Sequence, residues 1–156
     1  MSSTKVQNYL KKYNMAERII ELPSSSATVA LAAQNLNCEE ARIAKTLSFQ
    51  LKDKYILIVA AGDTKIDNAK YRKEFGEKAH MLPSDIVEEI IGHPVGGVCP
   101  FAVNEGVEIY LDDSLKRFKT VFPACGSINN AIEVTNEELE KITSYVKWID
   151  VCKIKE

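Results

Sequence analysis

The segment from residue 92 to residue 101 concentrates residue types that can shape a binding site, and it reads Gly-His-Pro-Val-Gly-Gly-Val-Cys-Pro-Phe. Three of the seven glycines of the chain lie here, at Gly92, Gly96 and Gly97. Glycine permits positive φ and close approach of another molecule, and proline stiffens the chain. A rigid loop with bare backbone N–H groups suits a carbonyl or a phosphate, and an ordinary helix-to-strand turn is the alternative. A P-loop is excluded because no Gly-Lys-Ser/Thr follows.

Lys45 is the second candidate, because it opens a predicted strand between apolar neighbours. Such a lysine is partly sheltered from water, unlike the solvated pair Lys11 and Lys12. Its compact ammonium could hold a phosphate or a carbonyl oxygen. The alternative is a lysine that protects the edge of a strand from pairing with another chain.

A third candidate segment runs from residue 123 to residue 130 and reads Pro-Ala-Cys-Gly-Ser-Ile-Asn-Asn. Small residues and asparagine favour a tight turn between strands. Cys125 would be a nucleophile only beside a base, and the two histidines, His80 and His93, are not placed by sequence to serve it. We therefore expect no catalytic thiol and a structural hydrogen bond for His93. A Ser-His-Asp triad stays open, although nothing singles out its serine.

Composition limits the classes of protein that this chain can belong to. Its 156 residues are 46% hydrophobic and carry a formal charge of only -2, which favours one domain over residues 1–156 and argues against a nonspecific nucleic-acid coat protein. The four cysteines form no CxxC pair and no zinc pattern, so neither a metal nor a cofactor is expected. No signal peptide or ~20-residue apolar span occurs, and we expect a soluble cytoplasmic protein.

Periodicity and cap residues predict a mixed α/β fold of short strands interrupted by helices. Helices are predicted to start at Ser2 or Ser3, at 27–36 behind a cap from Ser24–Ser26, after Asn37, at 67–75, at 83–91 with Ser84 as the cap, and from Thr135 to 142 with a capping box to Glu138. Strands are predicted at 19–22, 45–51, 55–61, 107–111, 120–124, 130–134 and 147–151, the second and third as a hairpin.

Four motifs in order resemble one family over nearly the whole chain. They are Thr-x-x-x-Ala-Ala from Thr28, Ala-Lys-Thr-Leu at 44–47, Gly-x-x-x-Gly-Gly-x-x-Pro-Phe from Gly92, and Cys-Gly-Ser from Cys125. The chain resembles the YbaK/EbsC group of aminoacyl-tRNA deacylases, which is similar to the editing domain inserted in bacterial prolyl-tRNA synthetases. Each motif is weak alone, but the four together, at matching intervals, are a strong signal.

The resemblance implies a mixed, barrel-like β-sheet flanked by helices and hydrolysis of the ester between an amino acid and the terminal ribose of tRNA. It implies that Lys45 holds the substrate near the terminal adenosine, and that the amides of Gly96 and Gly97 host the ester carbonyl or the attacking water. The substrate-binding residues it implies are Thr28, Gly92, His93, Pro100, Phe101, Cys125, Gly126, Ser127 and Asn129. An activated ester needs positioning and oxyanion stabilisation more than a strong nucleophile. Water, a ribose hydroxyl or a substrate side chain could then attack.

The chain departs from the family after the last glycine turn, where several relatives carry Asp or His. Residues 127–131 read Ser-Ile-Asn-Asn-Ala, so alanine, cysteine, serine and proline esters all remain open. Aminoacylated tRNA is the expected partner, with a synthetase as an optional one, and the chain is expected to be a monomer.

Two other functions compete with deacylation. One is an inactive family member that docks onto tRNA or a synthetase, against which the retained Lys45 and loop glycines argue. The other is a general nucleic-acid binder, suggested by two basic groups that a solvated helix face explains equally well. These groups are Lys65, Lys70, Arg72 and Lys73, and Lys116, Arg117 and Lys119. The first would steer the acceptor stem if it is functional.

Overall fold

The computed structural model describes residues 2–155 and shows a mixed α/β fold. Its helices are α1 (Ser2–Lys11), α2 (Val29–Leu36), α3 (Asn68–Phe75), α4 (Ser84–Ile91) and α5 (Asn136–Ile142). Its strands are β1 (Ile20–Glu21), β2 (Ile43–Gln50), β3 (Tyr55–Ala61), β4 (Thr64–Ile66), β5 (Glu108–Asp112), β6 (Thr120–Pro123), β7 (Asn130–Ala131), β8 (Val134–Thr135), β9 (Tyr145–Ile149) and β10 (Cys152–Ile154). Short 3-10 turns occupy Ala16–Arg18, Glu40–Arg42 and Asp113–Arg117.

Six strands form the main sheet in the order β8-β6-β2-β3-β5-β9. The β2–β3 and β6–β8 pairs are antiparallel, and β2–β6, β3–β5 and β5–β9 are parallel. Two short ribbons, β1–β7 and β4–β10, complete the β-structure of residues 2–155. The predicted mixed, barrel-like sheet flanked by helices is confirmed.

Strand β3 forms the centre of the core, and both of its faces are covered. Alternate residues contribute to two different apolar clusters, as the two-residue period of a strand requires. Leu57, Val59 and Ala61 pack with apolar residues of α1, α4 and α5, while Ile56, Ile58 and Ala60 pack with Tyr71 of α3. A third cluster packs α2 against Ile43 at the start of β2 and against Phe122 of β6. The continuous apolar run of β3 is therefore buried on both faces, as predicted.

Two helix starts and one helix end follow the predicted cap chemistry. The Asp67 carboxylate accepts the Lys70 N–H at 3.1 Å at the start of α3, and Gly76 ends that helix with φ of 75°. Thr135 and Glu138 form the predicted capping box of α5.

Other predicted boundaries were wrong. The cap of α2 is Thr28 instead of one of Ser24–Ser26, and α4 follows Pro83 with no side-chain cap, so Ser84 is already helical. Asn37 closes α2 in a left-handed conformation, and only the 3-10 turn Glu40–Arg42 follows it. The strand predicted at 130–134 is divided into β7 and β8, and the strand predicted at 147–151 lies earlier, as β9.

Among the described residues, the chain has no helix that is long and apolar enough to span a membrane.

Candidate active site

A cavity of about 370 Å³ opens beside β2, between α2 and the start of α4. Its lining comes from five parts of the chain, and most of the lining side chains are small or aliphatic. They are residues 26–29, 32 and 36 around α2, residues 43–48 of β2, residues 81, 82, 84 and 87, residues 95, 96 and 98 of the glycine-rich loop, and residues 122, 124, 130 and 131. Within residues 2–155, Lys45 is the only charged residue that lines it.

The cavity exists because one edge of β2 lacks a partner along part of its length. Pairing with β6 ends at the Ala44–Pro123 register, and beyond the gap the Leu82 N–H donates to the Ser48 carbonyl at 3.1 Å. Residues of a strand direct their main-chain groups to alternate edges. Since the groups of Ser48 point away from β3, those of Thr46 point the same way, into the gap. The sheet edge thus offers one N–H and one C=O to a ligand in the cavity.

Lys45 combines a place on the cavity wall with a fixed ammonium. Its Nζ donates a hydrogen bond to the Thr64 carbonyl at the start of β4. Burial, together with the nearby positive charge of Lys155, lowers the pKa of Lys45 below its ordinary value. An ammonium has three donors, so two N–H groups are left after the bond to Thr64. These two can bind an oxygen of a ligand.

The glycine-rich loop meets the cavity through Gly96, whose φ of +89° favours glycine. Gly97 is the next residue, and it lies against a second glycine turn, which contains Gly126 and Ser127. A Cβ on Gly97 would lie 2.8 Å from the Ser127 nitrogen and 2.9 Å from the Gly126 carbonyl carbon. Glycine is therefore required at position 97 because another backbone segment approaches closely, and at position 96 because the backbone adopts a positive φ. The structure brings together the two glycine turns that the sequence singled out.

His93 and the nearby thiols lie in the core, behind the loop. His93 is fully buried; its Nε2 donates to the Phe101 carbonyl at 2.6 Å, which leaves Nδ1 to accept from the Ser2 hydroxyl at 2.6 Å. Burial lowers the pKa of His93 and raises the pKa of Cys99 to about 12. Although the Cys99 sulfur is 3.6 Å from His93 Nε2, neither residue lines the cavity. Both side chains are thus enclosed in the core.

Three of the twelve residues singled out from the sequence line the cavity: Thr28, Lys45 and Gly96. The Thr28 hydroxyl accepts the Leu31 N–H at 3.2 Å and so caps α2. The other nine do not line this cavity. They are Gly92, His93, Gly97, Pro100, Phe101, Cys125, Gly126, Ser127 and Asn129.

The reasons for this placement differ among the nine. Gly92 ends α4 with φ of 102°, and Pro100, Phe101 and Cys125 are buried. The Ser127 hydroxyl accepts the Asn129 N–H at 3.1 Å within an exposed turn.

Sequence reasoning missed the polar groups nearest to the open edge. Thr46 and Ser48 alternate on β2 and line the cavity together with Asn130. Asn130 is 2% exposed and holds the second turn, because its Oδ1 accepts the Cys125 N–H at 3.1 Å and its Nδ2 donates to the Cys125 carbonyl at 3.2 Å. The available signal was the alternation of small polar residues after Lys45.

No group of three or more His, Cys, Asp or Glu side chains within residues 2–155 could hold a metal ion.

Comparisons with known proteins point to one family. A model of the family described as "Aminoacyl-tRNA editing domain" matches residues 24–142. "Uncharacterized protein YwhH" of Bacillus subtilis (strain 168) is 52% identical over 154 residues, which are 98% of each chain. A "Proline--tRNA ligase" of Thermosipho melanesiensis is 28% identical over 129 residues, 81% of this chain but 22% of the ligase. A solved structure described as "a putative trans-editing enzyme for prolyl tRNA synthetase" aligns over 97% of both chains, with 27% identity and a TM-score of 0.87.

Proposed function

Because this chain belongs to the aminoacyl-tRNA editing domain family, we propose that it is a trans-acting aminoacyl-tRNA deacylase. The observation that carries the proposal is the position of Lys45, a half-buried lysine and the one charged residue within residues 2–155 that lines the cavity. The enzyme uses a single domain and acts in the cytoplasm as a monomer, with the acceptor end of a mischarged tRNA as its substrate.

In the proposed mechanism, the aminoacyl group enters the gap beside β2. The free N–H groups of the Lys45 ammonium bind oxygens of the terminal ribose, and the Thr46 main chain binds the aminoacyl group. The amide of Gly96 stabilises the negative charge that develops on the ester carbonyl oxygen, and Gly97, whose N–H donates to the Pro94 carbonyl at 2.9 Å, holds the loop in place. Hydrolysis breaks the bond between the acyl carbon and the ribose oxygen, and water supplies the hydroxyl of the released amino acid and the proton of the ribose.

The proposed reaction needs no covalent protein nucleophile. Burial raises the pKa of both Cys99 and Cys125, and neither thiol lines the cavity. An ester is already activated, so orientation and oxyanion stabilisation suffice. The attacking group is water; where a ribose hydroxyl or the side chain of the bound amino acid attacks first, it forms a new ester or thioester that water then cleaves to the free amino acid.

The cavity favours a small amino acid. Its lining includes short aliphatic side chains and the neutral amide of Asn130, which is held by Cys125. Small-pocket selection by one methylene is worth about 1–3 kcal/mol. We therefore assign alanine, cysteine, serine or proline esters as the substrate class.

The test is deacylation of tRNAs charged with each of these four amino acids. The proposal predicts that the wild-type protein hydrolyses one or two of the four esters well above the spontaneous rate. If a folded protein hydrolyses none of these, nor any ester of a wider panel, while still binding tRNA, the proposal fails and the protein is a binding module.

Replacing the main-chain N–H of residue 46 tests the open edge separately. Incorporation of the α-hydroxy acid analogue of threonine at position 46 changes that amide to an ester and leaves the side chain intact. We expect kcat/KM to fall about tenfold, the loss of roughly one hydrogen bond. The matched change at Ala30, an exposed position in α2 that does not line the cavity, should leave kcat/KM within twofold if the protein is folded. Equal effects at the two positions would contradict this role.

A further inference from the structure

A second cavity, of about 790 Å³, lies beside α3 and is lined by cationic side chains. Its lining comprises Asn68, Ala69, Arg72, Lys73, Lys78, Ala79 and His80. We call it the basic cleft. It holds Arg72 and Lys73 from one predicted basic group, adds Lys78 and His80, and has no carboxylate in its described lining.

The charges of the basic cleft are not neutralised by the protein itself. Within residues 2–155, neither Arg72, Lys73 nor Lys78 forms an ion pair. The two carboxylates closest to them in sequence are engaged elsewhere. Glu74 pairs with Lys147 at 2.7 Å, and Glu77 accepts the Lys52 N–H at 3.2 Å.

Three other residues of the predicted basic groups are paired with carboxylates. Lys70 pairs with Asp150 at 3.0 Å, and Lys116 pairs with Asp113 at 3.1 Å. Arg117 pairs with Asp63 at 2.6 Å. The basic cleft is thus a concave site in which three unpaired cations lie together without a carboxylate in the described lining.

The basic cleft and the candidate active site share one segment of chain. The His80 carbonyl accepts the Gln50 N–H at 2.8 Å, which fixes this segment to the end of β2. His80 lines the basic cleft, and the next residue, Met81, lines the active-site cavity. The linings of the two cavities therefore meet at consecutive residues of the chain.

We propose that the basic cleft binds backbone phosphates of the tRNA acceptor stem, with Arg72, Lys73 and Lys78 as the contacting cations. This inference rests on the proposed function, which places the aminoacylated end in the adjacent cavity. Phosphate contacts fix the position of a nucleic acid without reading its sequence. The cleft therefore supplies affinity and register, and the cavity supplies selection of the amino acid.

The test compares the double variant Arg72→Ala/Lys78→Ala with the matched control Lys11→Ala/Lys141→Ala. The control removes two exposed cations of α1 and α5, which pack on the opposite face of the sheet from α3. Binding of uncharged tRNA is measured by fluorescence anisotropy at several salt concentrations. We expect the cleft variant to bind about tenfold more weakly and to lose between about 1 and 2 units of the slope of log K against log salt, and the control to match the wild type. Equal binding by the two variants overturns the inference.

A kinetic arm separates this inference from the proposed function. Each protein is assayed on full-length aminoacyl-tRNA and on the same amino acid esterified to adenosine, which has no stem. The cleft variant should lose about tenfold more kcat/KM on full-length aminoacyl-tRNA than on the adenosine ester. If the wild type hydrolyses neither substrate, the proposed function fails, and the anisotropy measurement alone decides the role of the cleft.

Discussion

Gly97→Ala probes the contact between the two glycine turns most directly. The added methyl would meet backbone atoms at 2.8, 2.9 and 3.0 Å, at the Ser127 nitrogen and the Gly126 carbonyl group. Ordinary contacts of a Cβ start near 3.4 Å, so the turns must separate by about 0.6 Å, and backbone cannot rotate away as a side chain can. Overpacking of this kind costs about 1–3 kcal/mol of stability. A displacement approaching 1 Å at a reacting group costs up to ~10²-fold in rate. We therefore expect kcat/KM for aminoacyl-tRNA to fall at least about tenfold.

Gly106→Ala is the matched control for a loss of stability without a change in the site. Gly106 has φ of +91° with no atom within 4 Å of the added Cβ, so the variant pays only for the left-handed backbone, about 1–2 kcal/mol. Urea unfolding should show similar destabilisation of the two variants, whereas only Gly97→Ala should lose deacylase activity. A folded Gly97→Ala protein with the kcat/KM of the wild type would refute the reasoning that this contact shapes the cavity.

Three further predictions concern stability. The Thr46 hydroxyl is buried without a hydrogen-bond partner in the described structure, so Thr46→Val should raise the free energy of unfolding by about 1 kcal/mol; a decrease of that size would contradict this assignment. Burial lowers the pKa of His93, so the unfolded state takes up a proton before the folded state does, and stability should fall as the pH drops below about 6.5. The variant His93→Gln, which can still donate to the Phe101 carbonyl, should show a weaker dependence of stability on pH. An unchanged dependence in this variant would count against the role of His93. Hydrogen bonds from Arg18 lower the pKa of Glu138 to about 2, so its contribution should be present above about pH 4.5 and lost as the pH falls toward 2; acid unfolding of Glu138→Gln should lack this component.

The sequence was most informative where local chemistry decides the structure. The β2–β3 hairpin follows from two apolar, β-rich runs separated by three polar residues. Helix α3 lies between an Asp67 cap and a Gly76 terminator, and α5 begins with a capping box. Each of these signals is contained within about ten residues, so no tertiary information is needed to interpret it.

The ribbon β4–β10 was not predicted, because three residues on each strand carry no usable periodicity. Its existence depends on pairing between segments almost ninety residues apart, which a single sequence does not reveal. The ribbon matters for the site, since β4 supplies the carbonyl of Thr64 that fixes Lys45.

The candidate site was predicted only in part, for a related reason. The special residue types of the glycine-rich loop and the second turn were recognised. Residue type alone, however, does not distinguish residues that line the cavity from residues that pack behind them. His93 and Cys125 are buried and do not line the cavity, although their chemistry suits a binding site. The open edge of β2 depends on where β6 diverges after Pro123, and that is a property of the whole sheet.

The measurement that tests the central claim most directly is deacylation of the preferred aminoacyl-tRNA by the wild type, Lys45→Ala and Lys141→Ala under identical conditions. Lys141 is an exposed lysine of α5 and serves as the control for loss of one positive charge. The account predicts hydrolysis by the wild type and by Lys141→Ala, and a reduction of kcat/KM by at least about 10²-fold in a folded Lys45→Ala protein. A folded Lys45→Ala protein that hydrolyses the ester at the wild-type rate would contradict it.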